Sequence, residues 1–127
     1  MINFAQDSLF KLRRVNDGDV WKDALKLFVD GEMLIGVYQT VRDQVIFTNK
    51  RVLTIDVVGL TGKRKDFCSI PYKRIQFFSV QTAGFAELIP DSELTMVMAN
   101  GPKIVFEFKG SNDILAIGRA ISNYALD

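Results

Sequence analysis

The residues that could do chemistry are few, and their spacing is unhelpful to a catalyst. The 127-residue chain has no histidine, which removes His-based triads, His metal sites and the usual neutral-pH proton shuttle. Cys68 is the only thiol, so neither an intrachain disulfide nor a Cys-rich zinc site can form. Glu32, Asp43 and Asp56 read as isolated carboxylates, with no spacing that brings two together at opposed pKa values. Ser8, Ser69 and Ser79 lack a base to activate them. Gly59-Leu60-Thr61-Gly62 before Lys63 lacks both the Walker spacing and a following helix, and reads as a turn. The expectation is a protein that is not an enzyme, with no metal and no cofactor.

Charge narrows the partners. Sixteen Lys and Arg stand against fifteen Asp and Glu, a net charge of +1, which argues against bulk attraction to nucleic acid or to an anionic membrane. One local imbalance exists: Lys63, Arg64, Lys65, Lys73 and Arg74, interrupted by Asp66. It reads either as a patch for phospholipid head groups or an acidic partner, or as a solvated strand whose charges discourage edge pairing. A second polar set, Arg42, Asp43, Asn49, Lys50 and Arg51, falls near hairpin ends. It could form part of a partner-binding surface, or serve the turns themselves.

The elements that must position these residues separate by periodicity into three regions of a single domain spanning 1–127. Residues 1–30 show helical spacing. Asp19 is placed as the N-cap of a helix with Val20, Ala24, Leu27 and Phe28 on its apolar stripe and Gly31 at its end. A shorter helix is expected before it, around Phe4, Leu9, Phe10 and Leu12. Residues 31–109 read as seven strands joined by short turns, which points to an all-β sandwich or barrel. Asn49 is expected in the left-handed backbone of one tight hairpin, and Asn100-Gly101 marks another. Met33, Met96 and Met98 sit at strand spacing and are expected in the core. Residues 111–126 form a last helix, capped by Ser111 or Asn112, with Ile114, Ile117, Ile121 and Tyr124 as its apolar stripe.

Several strands are apolar on both faces: Leu34 and Ile35, Phe77 and Phe78, Met96 and Val97, Val105 and Phe106. A small monomeric barrel should keep one face polar. Either the N-terminal helices or another subunit, or both, must cover the outer face. No apolar run reaches the roughly 20 residues of a membrane span, and no secretory signal opens the chain. With a single free thiol, the expected location is cytoplasmic.

The order of short motifs then becomes recognisable. Gly31-Glu32, Arg42-Asp43, Phe47-Thr48-Asn49-Lys50-Arg51, Thr61-Gly62-Lys63, Ser69-Ile70-Pro71-Tyr72 and Phe78-Ser79-Val80 before Thr82-Ala83-Gly84 together resemble the bacterial pleckstrin-homology-like (PH-like) family of short proteins. That resemblance implies seven antiparallel strands in two nearly orthogonal sheets with a C-terminal helix closing one end. It also implies a ring-shaped cyclic homo-oligomer, pentameric in the single-domain form, that mediates protein–protein interaction. Ending at Asp127, the chain resembles the shorter form of the family. The loop Gln39–Gln44, with one Arg beside one Asp, departs from the basic motif of phosphoinositide-binding PH domains. The expected function is therefore a binding or scaffold module for an unknown protein partner. The alternative is peripheral binding to anionic lipid through Lys63, Arg64, Lys65, Lys73 and Arg74.

Overall fold

The computed structural model describes residues 8–83, 91–110 and 114–126; Phe4, the capping residues Ser111 and Asn112, and the Gly84–Pro90 stretch lie outside them. Among the described residues, eight strands form one sheet in the order β5-β4-β3-β2-β1-β8-β7-β6. They are β1 (Ser8–Arg14), β2 (Leu34–Gln39), β3 (Gln44–Thr48), β4 (Arg51–Val58), β5 (Arg64–Pro71), β6 (Ile75–Gln81), β7 (Ser92–Met98) and β8 (Lys103–Phe108). A single helical turn, α1 (Lys22–Leu25), precedes β2, and the long helix α2 (Ile114–Ala125) follows β8.

The seven strands from β2 to β8 follow the sequence expectation; the eighth replaces the short N-terminal helix. Ser8–Arg14 alternates, with Phe10 and Leu12 buried and Leu9, Lys11 and Arg13 exposed. That period of two suits a half-buried strand, and β1 runs parallel to β8 with Ser8 opposite Ile104 and Leu12 opposite Phe108. Its last residues pair with β2, Arg13 with Gln39 and Arg14 with Tyr38. In this way β1 joins β2–β5 to β6–β8, where two separate sheets were expected.

The sheet wraps one main core. Leu12, Tyr38, Val45, Phe47, Leu94, Met96, Ile104, Phe106 and Phe108 are sealed inside it, together with Ile114, Ile117 and Ile121 of α2. Phe47, Phe106, Phe108 and Tyr38 meet ring to ring at 4.9–5.7 Å, mostly edge-on, the arrangement aromatic quadrupoles favour. The apolar stripe of α2 therefore closes the barrel as expected. Met96 is core and Met98 packs against it, but Met33 lies just before β2 and is exposed. At the hairpin ends, Asn100 adopts the left-handed backbone (φ 56°) and Asn49 does not.

The second expected helix is only one turn long. The Asp19 side chain accepts from Asn16 N–H (3.2 Å) and closes a 3-10 turn, so it is not free to cap α1. Farther on, Leu27 N–H donates to Ala24 O and Phe28 N–H to Leu25 O. The carbonyl of Leu27 and the N–H of Val29 are taken by Arg51 and Glu32, groups outside the segment. Tertiary hydrogen bonds thus outcompete the helical ladder, and residues 15–29 become an irregular strap. Gly31, with φ 79°, turns the strap into β2, a conformation glycine reaches without steric cost.

Candidate functional site

The strap lies across the outer face of β2–β5. Val15, Val20, Trp21, Ala24 and Phe28 pack on Val37, Ile46, Leu53, Ile55 and Phe67, and Lys65 Nζ sits 5.2 Å from the centre of the Trp21 ring. Two buried polar clamps fasten it. At its start, the Gln44 side chain accepts from Trp21 N–H through Oε1 and donates from Nε2 to Asp19 O, both at 2.9 Å. Gln44 is wholly buried, so these bonds satisfy an amide that would otherwise be costly to bury.

At the strap's end, Glu32 and Arg51 form a two-pronged ion pair. Arg51 Nε donates to Oε2 and Nη2 to Oε1, each at 2.9 Å. The Glu32 side chain is fully buried, and that of Arg51 is 17% exposed. Thr48 Oγ1 donates to Glu32 Oε2 at 2.6 Å and Val29 N–H donates to Oε1 at 3.1 Å. Burial alone would raise the Glu32 pKa; the bonds from Arg51, Thr48 and Val29 outweigh it and hold the carboxyl below its ordinary value. Arg51 also donates to Leu27 O and, through Nη1, to Ser69 Oγ. One guanidinium therefore ties strap, hairpin and edge strand together.

The polar set singled out from sequence divides between the two ends of the barrel, separated by the five residues of β3, about 17 Å of strand. Asn49, Lys50 and Arg51 share one end. Asn49 accepts from Met33 N–H at 2.7 Å and donates to Gly31 O at 3.0 Å, and Lys50 Nζ lies over the Tyr124 ring at 5.3 Å. Arg42 and Asp43 occupy the other end. Arg42 Nη2 donates to Gly59 O at 3.2 Å, joining the β2–β3 and β4–β5 turns.

Asp43 accepts from Val57 N–H at 2.9 Å and meets Asp56, correcting the reading of these carboxylates as isolated. Strand pairing places Gln44 opposite Ile55, which brings the neighbouring aspartates together. Burial first, then the hydrogen bond and charge of Asp56, raise the Asp43 pKa against the Val57 N–H. The basic set divides too. Lys63 and Arg64 follow the Gly59–Gly62 turn, Lys65 lies on Trp21, and Lys73 and Arg74 line a groove with Met98 and Asn100 at the opposite end.

The outer face of the other half-sheet has no such strap among the described residues. Phe77 is 59% and Leu9 55% exposed. Phe77 pairs with Val97, and Val105 with both Thr95 and Leu9, giving an apolar row across β6, β7, β8 and β1 that Thr95 and Lys103 interrupt and in which the two valines are half-buried. Sequence reasoning anticipated that some outer face needs a cover, but missed the clamps. The signal for Gln44 was a lone amide opening an otherwise apolar strand.

An open barrel of this strand order, closed by a C-terminal helix, defines a PH-like module. The model of the bacterial PH domain family matches residues 3–125, and the chain belongs to that family. It is similar to the uncharacterised protein YjqA of Bacillus subtilis, 34% identical over 103 residues, covering 81% of this chain and 82% of that protein. It is also similar to the uncharacterised YozO of the same organism, 29% identical over 116 residues, with coverage of 91% and 96%. Among solved structures, a DUF1696 family protein with a pleckstrin-homology domain from Shewanella loihica superposes with a TM-score of 0.70 at 33% identity, over 91% of this chain and 98% of that one. A pleckstrin homology domain from Shewanella amazonensis gives 0.59 at 37%, over 89% and 90%.

Proposed function

We propose that the chain is a non-enzymatic cytoplasmic binding module that acts as a ring-shaped homo-oligomer, a pentamer in the favoured form, and presents a repeated surface to a protein partner. The observation that carries this reading is the apolar row of Phe77, Val97, Val105 and Leu9, which no strap covers among the described residues. Large apolar side chains left open on a sheet face mark an interaction site. A heterologous contact between copies that closes on itself makes a ring. Each weak surface is then repeated around it, so a multivalent partner gains avidity without a deep pocket.

Light scattering behind size-exclusion chromatography, over a range of concentrations, tests the reading. The expected result is a discrete mass several times that of the 14.3 kDa protomer, unchanged on dilution. A monomer at every concentration overturns it.

A further inference from the structure

The sheet has two outer strands, β5 and β6, and they are not alike. An outer strand presents a row of backbone N–H and C=O groups with which another extended chain can pair; charged residues, proline and bulges are the usual guards. β5 carries Arg64, Lys65 and Asp66 in its first half and ends at Pro71. β6 reads Ile-Gln-Phe-Phe-Ser-Val-Gln, with neither charge nor proline. Its one irregularity, a register shift between Ile75 and Phe77, leaves residues 77–81 in regular pairing with β7. Among the described residues, no strand pairs with the other edge of β6.

Two hollows meet at the start of this strand, and Ile75 borders both. The first, about 160 Å³, lies between β6 and the end of α2 and is lined by Phe77, Phe78, Ala125 and Leu126. The second, about 510 Å³, runs from Lys73 and Arg74 to the turn at 98–101. Strand direction brings the starts of β4, β6 and β8 to this end of the barrel. Its described carboxylates are Asp30, at the end of the strap, and Glu32, which Arg51 already holds. Against them stand Lys50, placed over the Tyr124 ring, and the exposed Lys73, Arg74 and Lys103. An apolar hollow beside an unguarded edge therefore opens directly onto a cationic one.

We propose that the edge of β6 takes up an extended acidic peptide segment of a partner protein. The segment adds as a further strand along residues 77–81, seats one apolar side chain in the hollow beside α2, and lays its carboxylates on Lys73 and Arg74. Antiparallel addition puts the C-terminal residues of the segment at the Ile75 end, so the acidic residues follow the apolar ones. Main-chain hydrogen bonds supply affinity whatever the sequence, while the hollow and the two cations supply the choice. A free anion would use the cations and leave the edge and the apolar hollow empty. The proposal rests on the reading of a module for a protein partner, and not on the ring.

Fluorescence anisotropy of a labelled synthetic peptide, Thr-Val-Thr-Val-Phe-Asp-Glu-Asp, with the full chain at about 0.1 M ionic strength tests it. Its amide twin, Thr-Val-Thr-Val-Phe-Asn-Gln-Asn, and octaglutamate serve as comparisons. The acidic peptide is expected to bind saturably and both comparisons at least about tenfold more weakly. Lys73→Gln with Arg74→Gln should lose at least about the same factor. Lys63→Gln with Arg64→Gln removes equal charge at the far end of β5, beyond the Debye length, and should change the affinity by less than about twofold. All four side chains are solvent-facing, so unchanged melting confirms intact folds. Peptide should also slow amide exchange at residues 77–81 and leave β5 unchanged.

Absent binding, equal binding of either comparison peptide, equal loss in the two double variants, or unchanged exchange in β6 overturns the proposal. So does slowing of β6 exchange on concentrating the chain alone, which would put a second copy on the edge. Light scattering reads the ring separately: a monomer that binds the peptide removes the ring and leaves this proposal standing, and a ring that ignores the peptide does the reverse.

Discussion

The two halves of the sheet solve the same problem differently. On β2–β5, the outward residues Val37, Ile46, Leu53 and Ile55 are wholly buried beneath the chain's own strap. On β6–β8 and β1, outward residues of the same character, Phe77, Val97, Val105 and Leu9, have no such cover among the described residues. Both halves are apolar on two faces, so hydrophobic pattern alone does not separate an intramolecular cover from an intermolecular one. The separating feature is polar. The covered face has Gln44 and the Glu32–Arg51 pair, largely buried groups that hydrogen-bond the strap's backbone; among the described residues, no buried polar clamp of this kind is seen on the open face.

The most severe way to break this contrast is Arg51→Ala. It leaves Glu32 as a buried, uncompensated carboxylate and should cost about 3–5 kcal/mol, read by denaturant unfolding. Hydrogen exchange should speed first at residues 20–29 while α2 and β8 stay protected.

Next comes a pair of truncations that compares the two faces directly. Ile46→Ala, under the strap, should destabilise by about 2–5 kcal/mol. Phe77→Ala, on the open row, should change protomer stability by about 0.5 kcal/mol or less yet reduce the mass seen by light scattering. Equal destabilisation by both would erase the distinction between covered and open faces.

Gln44→Leu sharpens it further. It removes partners from Trp21 N–H and Asp19 O, at about 1–3 kcal/mol, and should loosen the strap's first half only. An exchange pattern shared by the whole sheet would show that the clamp is not local.

The smallest effect tests the pH behaviour of the covered half. Glu32, with its pKa lowered in the fold, contributes stability that is present above the unfolded carboxylate range and is lost as pH falls through the lowered folded value. Asp43 works in the opposite sense. Its raised folded pKa makes stability fall as pH rises through the window between the unfolded and folded values. Asp43→Asn keeps an oxygen for Val57 N–H and removes the repulsion with Asp56. It should gain up to about 1 kcal/mol at neutral pH and nothing well below the carboxylate range, measured as melting temperature against pH.

How much of this was legible follows from which interactions are local. The alternation of Leu94, Met96 and Met98 against Ile104, Phe106 and Phe108 is written into consecutive residues, and so is the stripe of α2. Asn100-Gly101 announced its own turn. The segment 20–29 has helical spacing too, but Arg51 and Glu32 claim its hydrogen bonds from a distance, and no window of sequence contains that competition. For β1, Phe10 and Leu12 between Lys11 and Arg13 fit a strand as well as a helix; its partner β8 decided the matter. The candidate polar residues were legible as types, while their division between two ends depends on strand direction, which pairing alone determines.

The parallel pairing of β1 with β8 also bears on how the protein is made. The first of the eight strands to leave the ribosome pairs with β2 through only its last two residues, and its longer ladder forms only when β8, the last strand, has been synthesised. Until then Phe10 and Leu12 lack the Phe106 and Phe108 against which they close. Contacts between residues so distant in sequence slow folding, and they leave a nascent chain with an apolar strand waiting. The step that completes the core is thus a late one, and conditions that delay it expose the protein to aggregation during synthesis.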